Sequence, residues 1–181
     1  MPTYKKSSEA VAALIKRYET AKRHRSSWEQ HWKECYEYAL PQREVFNQYA
    51  EGQKKTTNIY DSTALIATQR FASRLQSTLV PPFKKWAKLS AGTAIPKQFA
   101  NKIDKQLEEV TDTLFSYINQ SNLATECHES FLDLAVGTGA LLLDEGEGDD
   151  LLKFTAVPLK ELLIEDGPQG TIETVFRLHE H

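Results

Sequence analysis

Apolar residues near the start of the chain recur at steps of three and four: Val11, Leu14, Ile15, Tyr18, Ala21, Trp28, Trp32, Cys35, Tyr36 and Ala39. That spacing lines one side of a 3.6-residue helix. It predicts a long helix over residues 8–39, broken near Arg25-Ser26-Ser27 where the stripe skips a turn. Ser7 or Ser8 offers a hydroxyl to the first-turn amides, and Pro41 ends the run. Lys16, Arg17, Lys22, Arg23 and Arg25 fall on the other faces and read as a solvated surface. Residues 42–59 are polar and predict a long loop, of the kind that is either functional or disordered more often than inert.

A second helix is expected over residues 61–80, with Asp61 as N-cap and Leu65, Phe71, Ala72, Leu75 and Leu79 on its buried side. Pro81-Pro82 ends it, because the second proline bars helix at the first. Trp86-Ala87-Lys88-Leu89-Ser90 alternates large and polar residues and predicts a short strand over about 85–90, tryptophan inward and lysines outward. Pro96 opens a third helix, 97–119, with Phe99, Ile103, Leu107, Val110, Leu114 and Tyr117 in a single stripe. A fourth helix spans 123–136, with Leu123, Cys127, Phe131 and Leu134 inside. Gly137 is placed to end it in a left-handed conformation.

From Ala140 the texture changes to short apolar runs, 140–144, 151–157, 161–165 and 171–178. An acidic turn separates the first pair, and Asp166-Gly167-Pro168-Gln169-Gly170 separates the last pair. Helices first and hairpins after argue an α+β fold with a small antiparallel sheet, not alternating α/β. Two segments are expected: a mainly helical one, 1–139, and a β-hairpin one, 140–181. The last strand closes abruptly, which reads as an element continued in a longer protein, with one sheet edge open.

Composition narrows the function. Of 181 residues, 40% are hydrophobic and 26% charged, enough for a packed core. With 22 basic against 25 acidic residues the net charge is −3, which excludes a general nucleic-acid coat and predicts little phosphate contact. Mean hydropathy is −0.50, and no apolar run approaches the roughly 18–20 residues of a membrane span. The polar start carries no secretory signal. Cys35 and Cys127 cannot build a disulfide framework, so a reducing compartment is the default.

Candidate chemistry is sparse. Leu132-Asp-Leu-Ala-Val-Gly137-Thr-Gly139 resembles the glycine-rich motif of class I S-adenosylmethionine-dependent methyltransferases, where glycines let the backbone approach the cofactor. That motif needs a strand before it and a helix after it. The predicted order here is the reverse, and residues 140–181 are too few for the rest of a doubly wound sheet. His31 and Cys35 share a helix face but give only two ligands, short of a zinc site, and His24, His128, His179 and His181 add no matching spacing. Cys127 and His128 are helix neighbours whose side chains diverge by about 100°, so they do not form a catalytic pair. The acidic turn, Asp144, Glu145, Glu147, Asp149 and Asp150, lacks calcium-loop spacing. Trp86 with Lys84, Lys85 and Lys88 suits either a base-stacking platform or an ordinary strand, and the absence of a wider basic surface favours the strand. No catalytic residue, metal or cofactor is expected.

Three blocks, in order, resemble portal proteins of short-tailed bacteriophages, also called head-to-tail connectors. They are Asp61-Ser-Thr-Ala-Leu with Arg70-Phe-Ala-Ser-Arg-Leu-Gln-Ser-Thr-Leu-Val-Pro81-Pro82-Phe and Trp86-Ala-Lys-Leu; Phe131 to Leu143 through Gly137 and Gly139; and Phe154-Thr-Ala-Val-Pro158-Leu-Lys-Glu, then Ile164-Glu-Asp-Gly167-Pro-Gln-Gly-Thr-Ile-Glu-Thr-Val-Phe-Arg. The resemblance implies the N-terminal wing of a non-enzymatic structural subunit. Such subunits form a ring, typically of twelve, at one capsid vertex of the virion, after assembly in the host cytoplasm. The implied partners are the major capsid protein, the packaging terminase and a tail adaptor, with double-stranded DNA passing through the channel during packaging and ejection. Stem, clip and crown segments have no counterpart here. On this reading Pro81, Pro82, Trp86, Gly137, Gly139, Pro158 and Gly167 are junction residues. Trp28 and Trp32 are candidate subunit-interface aromatics.

Overall fold

A computed structural model describes residues 3–43, 46, 52, 54, 59–93, 95–146, 148 and 151–178. Four helices come first: α1 Thr3–Ala39, α2 Thr63–Leu79, α3 Lys97–Gln120 and α4 Leu123–Val136. Four strands follow: β1 Ala140–Glu145, β2 Leu152–Val157, β3 Leu162–Asp166 and β4 Ile172–Arg177. The α+β class and the helices-then-hairpins order are as the sequence predicts. The hairpins form two two-stranded sheets, β1–β2 and β3–β4. Most of 42–59, half of the acidic turn (Glu147, Asp149, Asp150), and His179 and His181 lie outside the described residues.

Two compact units share the chain. One comprises Met1–Ile66, Val136–Thr138 and Val157–His181; the other comprises Ala67–Ala135 and Gly139–Ala156.

In the first unit α1 is one unbroken helix. No break occurs at Arg25 because that side chain fills the gap in the apolar stripe with hydrogen bonds, described below. The helix also starts earlier than predicted, so Ser7 and Ser8 lie inside it and cannot cap its first turn. It ends at Ala39, before Pro41. Only part of the predicted stripe is covered: Ala21 and Tyr36 are buried, with Leu40 just beyond the helix, while Val11, Leu14 and Ile15 stay about half exposed. Val157, Leu159, Leu162 and Leu163 are buried with them. Strands β3 and β4 pair antiparallel, Leu163 opposite Phe176 and Glu165 opposite Thr174, with a bulge between Glu165 and Asp166. Phe176 meets Tyr18 of α1 edge-on, ring centroids 5.9 Å apart.

In the second unit, Leu123, Cys127 and Phe154 are buried together, with Val80, Ile118, Phe131 and Leu152 packed around them. Side-chain bonds to the backbone tie its pieces. Asn122 donates to the Phe154 carbonyl (2.8 Å) and accepts from the Phe154 amide (2.9 Å). Glu126 accepts from the Ala156 amide and Gln76 donates to the Ala124 carbonyl. The α3 stripe is a correction. Phe99, Val110, Leu114 and Tyr117 are 39–54% exposed, whereas Thr111 and Phe115 are buried. Phe71, Leu79 and Leu134 are likewise exposed.

No strand forms at 85–90. That segment has no regular structure, and amides in and just after it bond to α3 side chains instead of a neighbouring strand: Leu89 N–H donates to Thr111 Oγ1 (3.2 Å) and Ala91 N–H to Asp104 Oδ1 (2.7 Å). An amide satisfied this way needs no sheet partner.

Candidate functional site

The sequence signals lead to two surfaces, one in each unit. In the first unit, α1 grips the β3–β4 hairpin with two arginines. Arg25, its side chain only 12% exposed, donates from Nη1 to the carbonyls of Lys160 (2.6 Å) and Leu162 (2.9 Å). Its Nε pairs with Glu29 at 2.8 Å. Arg17 forks onto both carboxylate oxygens of Glu165 (2.9 and 3.1 Å from Nε) and reaches Thr174 Oγ1 (2.6 Å). It therefore spans a cross-strand pair of the hairpin. Hydrogen bonding to Arg17 holds the Glu165 carboxyl below its ordinary range, and the same bond holds the Arg17 guanidinium charged. These cations, expected on a solvated face, are structural ties. The signal in the sequence was Arg25 standing in the phase of the apolar stripe.

Beside these ties lies a cleft of about 520 Å³, lined by Trp28, Trp32, His24 and Arg25 of α1 and by Leu159, Leu162, Ile164 and Asp166. The two indoles stack, centroids 6.5 Å apart and planes 22° apart, and Trp28 is 58% exposed. Trp32 also touches Phe46.

Gly137 backs this cleft, and it departs from expectation: its φ is not positive. A Cβ there would lie 3.1 Å from both Leu159 Cδ2 and Trp32 Nε1. Close approach, not a left-handed cap, is what requires glycine. Gly139 is tighter still: in the second unit a Cβ would sit 2.5 Å from the Ser130 carbonyl oxygen. The glycine pair therefore follows a helix and enters a strand, the reverse of the methyltransferase arrangement, and its free space is filled by protein.

Pro158 precedes a single 3₁₀ turn, Leu159–Glu161, and its carbonyl accepts from the Glu161 amide at 2.9 Å. Gly167 opens the β3–β4 turn in extended conformation, its amide 2.6 Å from the Thr171 carbonyl. Gln169 and Gly170 carry the positive φ that the reversal needs, 70° and 74°.

The second surface is the Pro81-Pro82 corner. Lys84 N–H donates to the Pro81 carbonyl at 3.3 Å, closing a turn with Pro82 and Phe83 at its centre. Phe83, which sequence reasoning passed over, has φ of 60° and is 81% exposed. Trp86 is 42% exposed, so the expectation of an inward tryptophan is corrected. One edge of its ring meets Phe115 at 5.4 Å and 80°. Lys85 pairs with Asp112 and Lys88 with Glu108 (3.9 Å). Those carboxylates offset the charge that a phosphate would seek.

Elsewhere, Asp61 accepts from the Thr63 amide at 2.6 Å, as its predicted capping role requires, which lowers its pKa; α2 itself starts at Thr63. Cys127 is buried and its thiol is pushed up by desolvation, while His128 Nδ1 lies 3.1 Å from Gln76 Oε1. The two neighbours face different partners. His31 Nε2 lies 3.7 Å from Cys35 Sγ. Among the described residues, no group of three or more His, Cys, Asp or Glu side chains is placed to hold a metal, and no helix is long and apolar enough to cross a membrane.

The chain is 27% identical over 168 residues to a probable portal protein of Bordetella phage BPP-1, and 24% identical over 167 residues to a portal protein of Salmonella phage epsilon15. Each match covers 91% of this chain and 30% of the relative, so the chain spans under a third of their length. The family model for the bacteriophage head to tail connecting protein matches residues 11–180, nearly end to end; this chain belongs to that family.

Proposed function

We propose that this chain forms the wing-like N-terminal region of a phage portal subunit. Copies of the full-length protein close into a ring at the capsid vertex, through which double-stranded DNA is packaged and later ejected. The observation that carries this reading is the family match over residues 11–180. The physical features suit it: exposed aromatics on two surfaces, and surface charges of both signs. Contacts between ring neighbours are heterologous, one patch meeting a different patch of the next copy. The role is structural, with chemistry supplied by the packaging motor. Capsid protein, terminase and tail adaptor are its partners at the vertex. Trp28 and Trp32 belong to a subunit contact, while Pro81, Pro82, Trp86, Gly137, Gly139, Pro158 and Gly167 fix the turns that present it.

Native mass spectrometry of the full-length protein tests this. The expected result is one dominant closed oligomer at an integer multiple of the subunit mass. A monomer at every concentration overturns the reading.

A further inference from the structure

Phe83 is a large aromatic held where aromatics rarely sit. It occupies the third position of the Pro81–Lys84 turn, with proline before it and φ of 60°. That is the position of a type II turn that favours glycine or asparagine. A bulky residue there is strained, and strain of this kind gathers at functional positions. The ring is also 81% exposed, so the conformation is not repaid by burial within its own unit.

The Trp28–Trp32 cleft is the complementary feature. At about 520 Å³ it admits a phenyl ring, with Trp28, Trp32 and the aliphatic Leu159, Leu162 and Ile164 in its lining beside the polar His24, Ser27 and Thr138. Its charge also matches. Lys84 follows Phe83 directly, and Asp166 lines the cleft. The Arg25 guanidinium is engaged by Glu29 and two carbonyls, which weakens its repulsion of an incoming lysine.

We propose that Phe83 of one copy seats between Trp28 and β3 of the next copy, with Lys84 beside Asp166. The proposal rests on the ring reading and specifies one of its contacts. Central aromatic anchors filling desolvated pockets carry most of the energy of such interfaces.

The test follows assembly of the full-length protein against concentration by mass photometry, with thermal melts taken below the assembly threshold. Phe83→Ala is expected to raise the concentration needed for the closed oligomer about tenfold or more. Phe83→Gly is expected to weaken assembly as much, yet to raise the melting temperature by about 2 to 4 °C, because glycine relieves the turn. Trp28→Ala should match Phe83→Ala, and the double variant should be little worse than either, since both remove one contact. Wild-type assembly by Phe83→Ala overturns the proposal while leaving the ring intact. So does a lowered melting temperature for Phe83→Gly, which would make Phe83 a packing residue, and so do additive losses in the double variant. A wild-type protein that never closes into an oligomer overturns the ring reading, and this contact with it.

Discussion

The two units solve one problem in different ways: each must attach a two-stranded hairpin to helices, and a lone hairpin is marginal in water. The first unit adds charged ties to its buried leucines, Leu159, Leu162 and Leu163. Arg25 and Arg17 reach from α1 to backbone carbonyls, a carboxylate and a hydroxyl of the β3–β4 segment. The second unit uses an apolar cluster, Leu123, Cys127 and Phe154, plus side-chain bonds from Asn122 and Glu126 to the backbone of β2. The buried cluster should resist salt and acid, whereas the charged ties should respond to both.

Breaking the apolar unit should have the largest effect. Phe154→Ala removes the aromatic from the cluster and is expected to cost about 3 to 5 kcal/mol by chemical denaturation. Asn122→Ala removes two bonds and strands both polar groups of Phe154, for roughly 2 to 3 kcal/mol. On the charged side, Arg25→Ala should cost about 2 kcal/mol, and Arg25→Lys should recover little, because an ammonium cannot span two carbonyls and Glu29 in one plane. Trp86→Ala should cost about 1 to 2 kcal/mol, below the value for a fully buried ring, because 42% of the residue is exposed.

The smallest effect is that of pH. The Glu165 carboxyl is held low in the folded state by Arg17. Its contribution is therefore present above the ordinary carboxylate range and is lost as pH falls through the lowered folded value. Acid titration of stability should show a modest loss there that Glu165→Gln abolishes and salt weakens. The cluster around Phe154 should show neither response.

Element boundaries were legible wherever a proline or glycine set them. Helix α4 ends where the sequence places it, ahead of Gly137, and Pro41, Pro81 and Pro96 bracket the other helices. What periodicity did not decide was which face is covered. Helix α3 carries Phe99-Val110-Leu114-Tyr117 beside Ile103-Leu107-Thr111-Phe115, and of the second set Thr111 and Phe115 are buried while Ile103 and Leu107 are half-buried. The strand at 85–90 failed for a similar reason. Alternation shows what a ladder would use, but Thr111 and Asp104 took the amides first. At the candidate site, the aromatics of α1 and the proline corner were readable by type and spacing. Phe83 was not, because its positive φ is a property of the folded turn, and residue type alone argues against it.

The central claim is that this chain is part of a ring-forming portal subunit. Electron microscopy of the assembled full-length protein tests it most directly. End views with closed rotational symmetry around a hole wide enough for a DNA duplex are the predicted result. Particles without rotational symmetry, or rings with no open centre, would contradict the account.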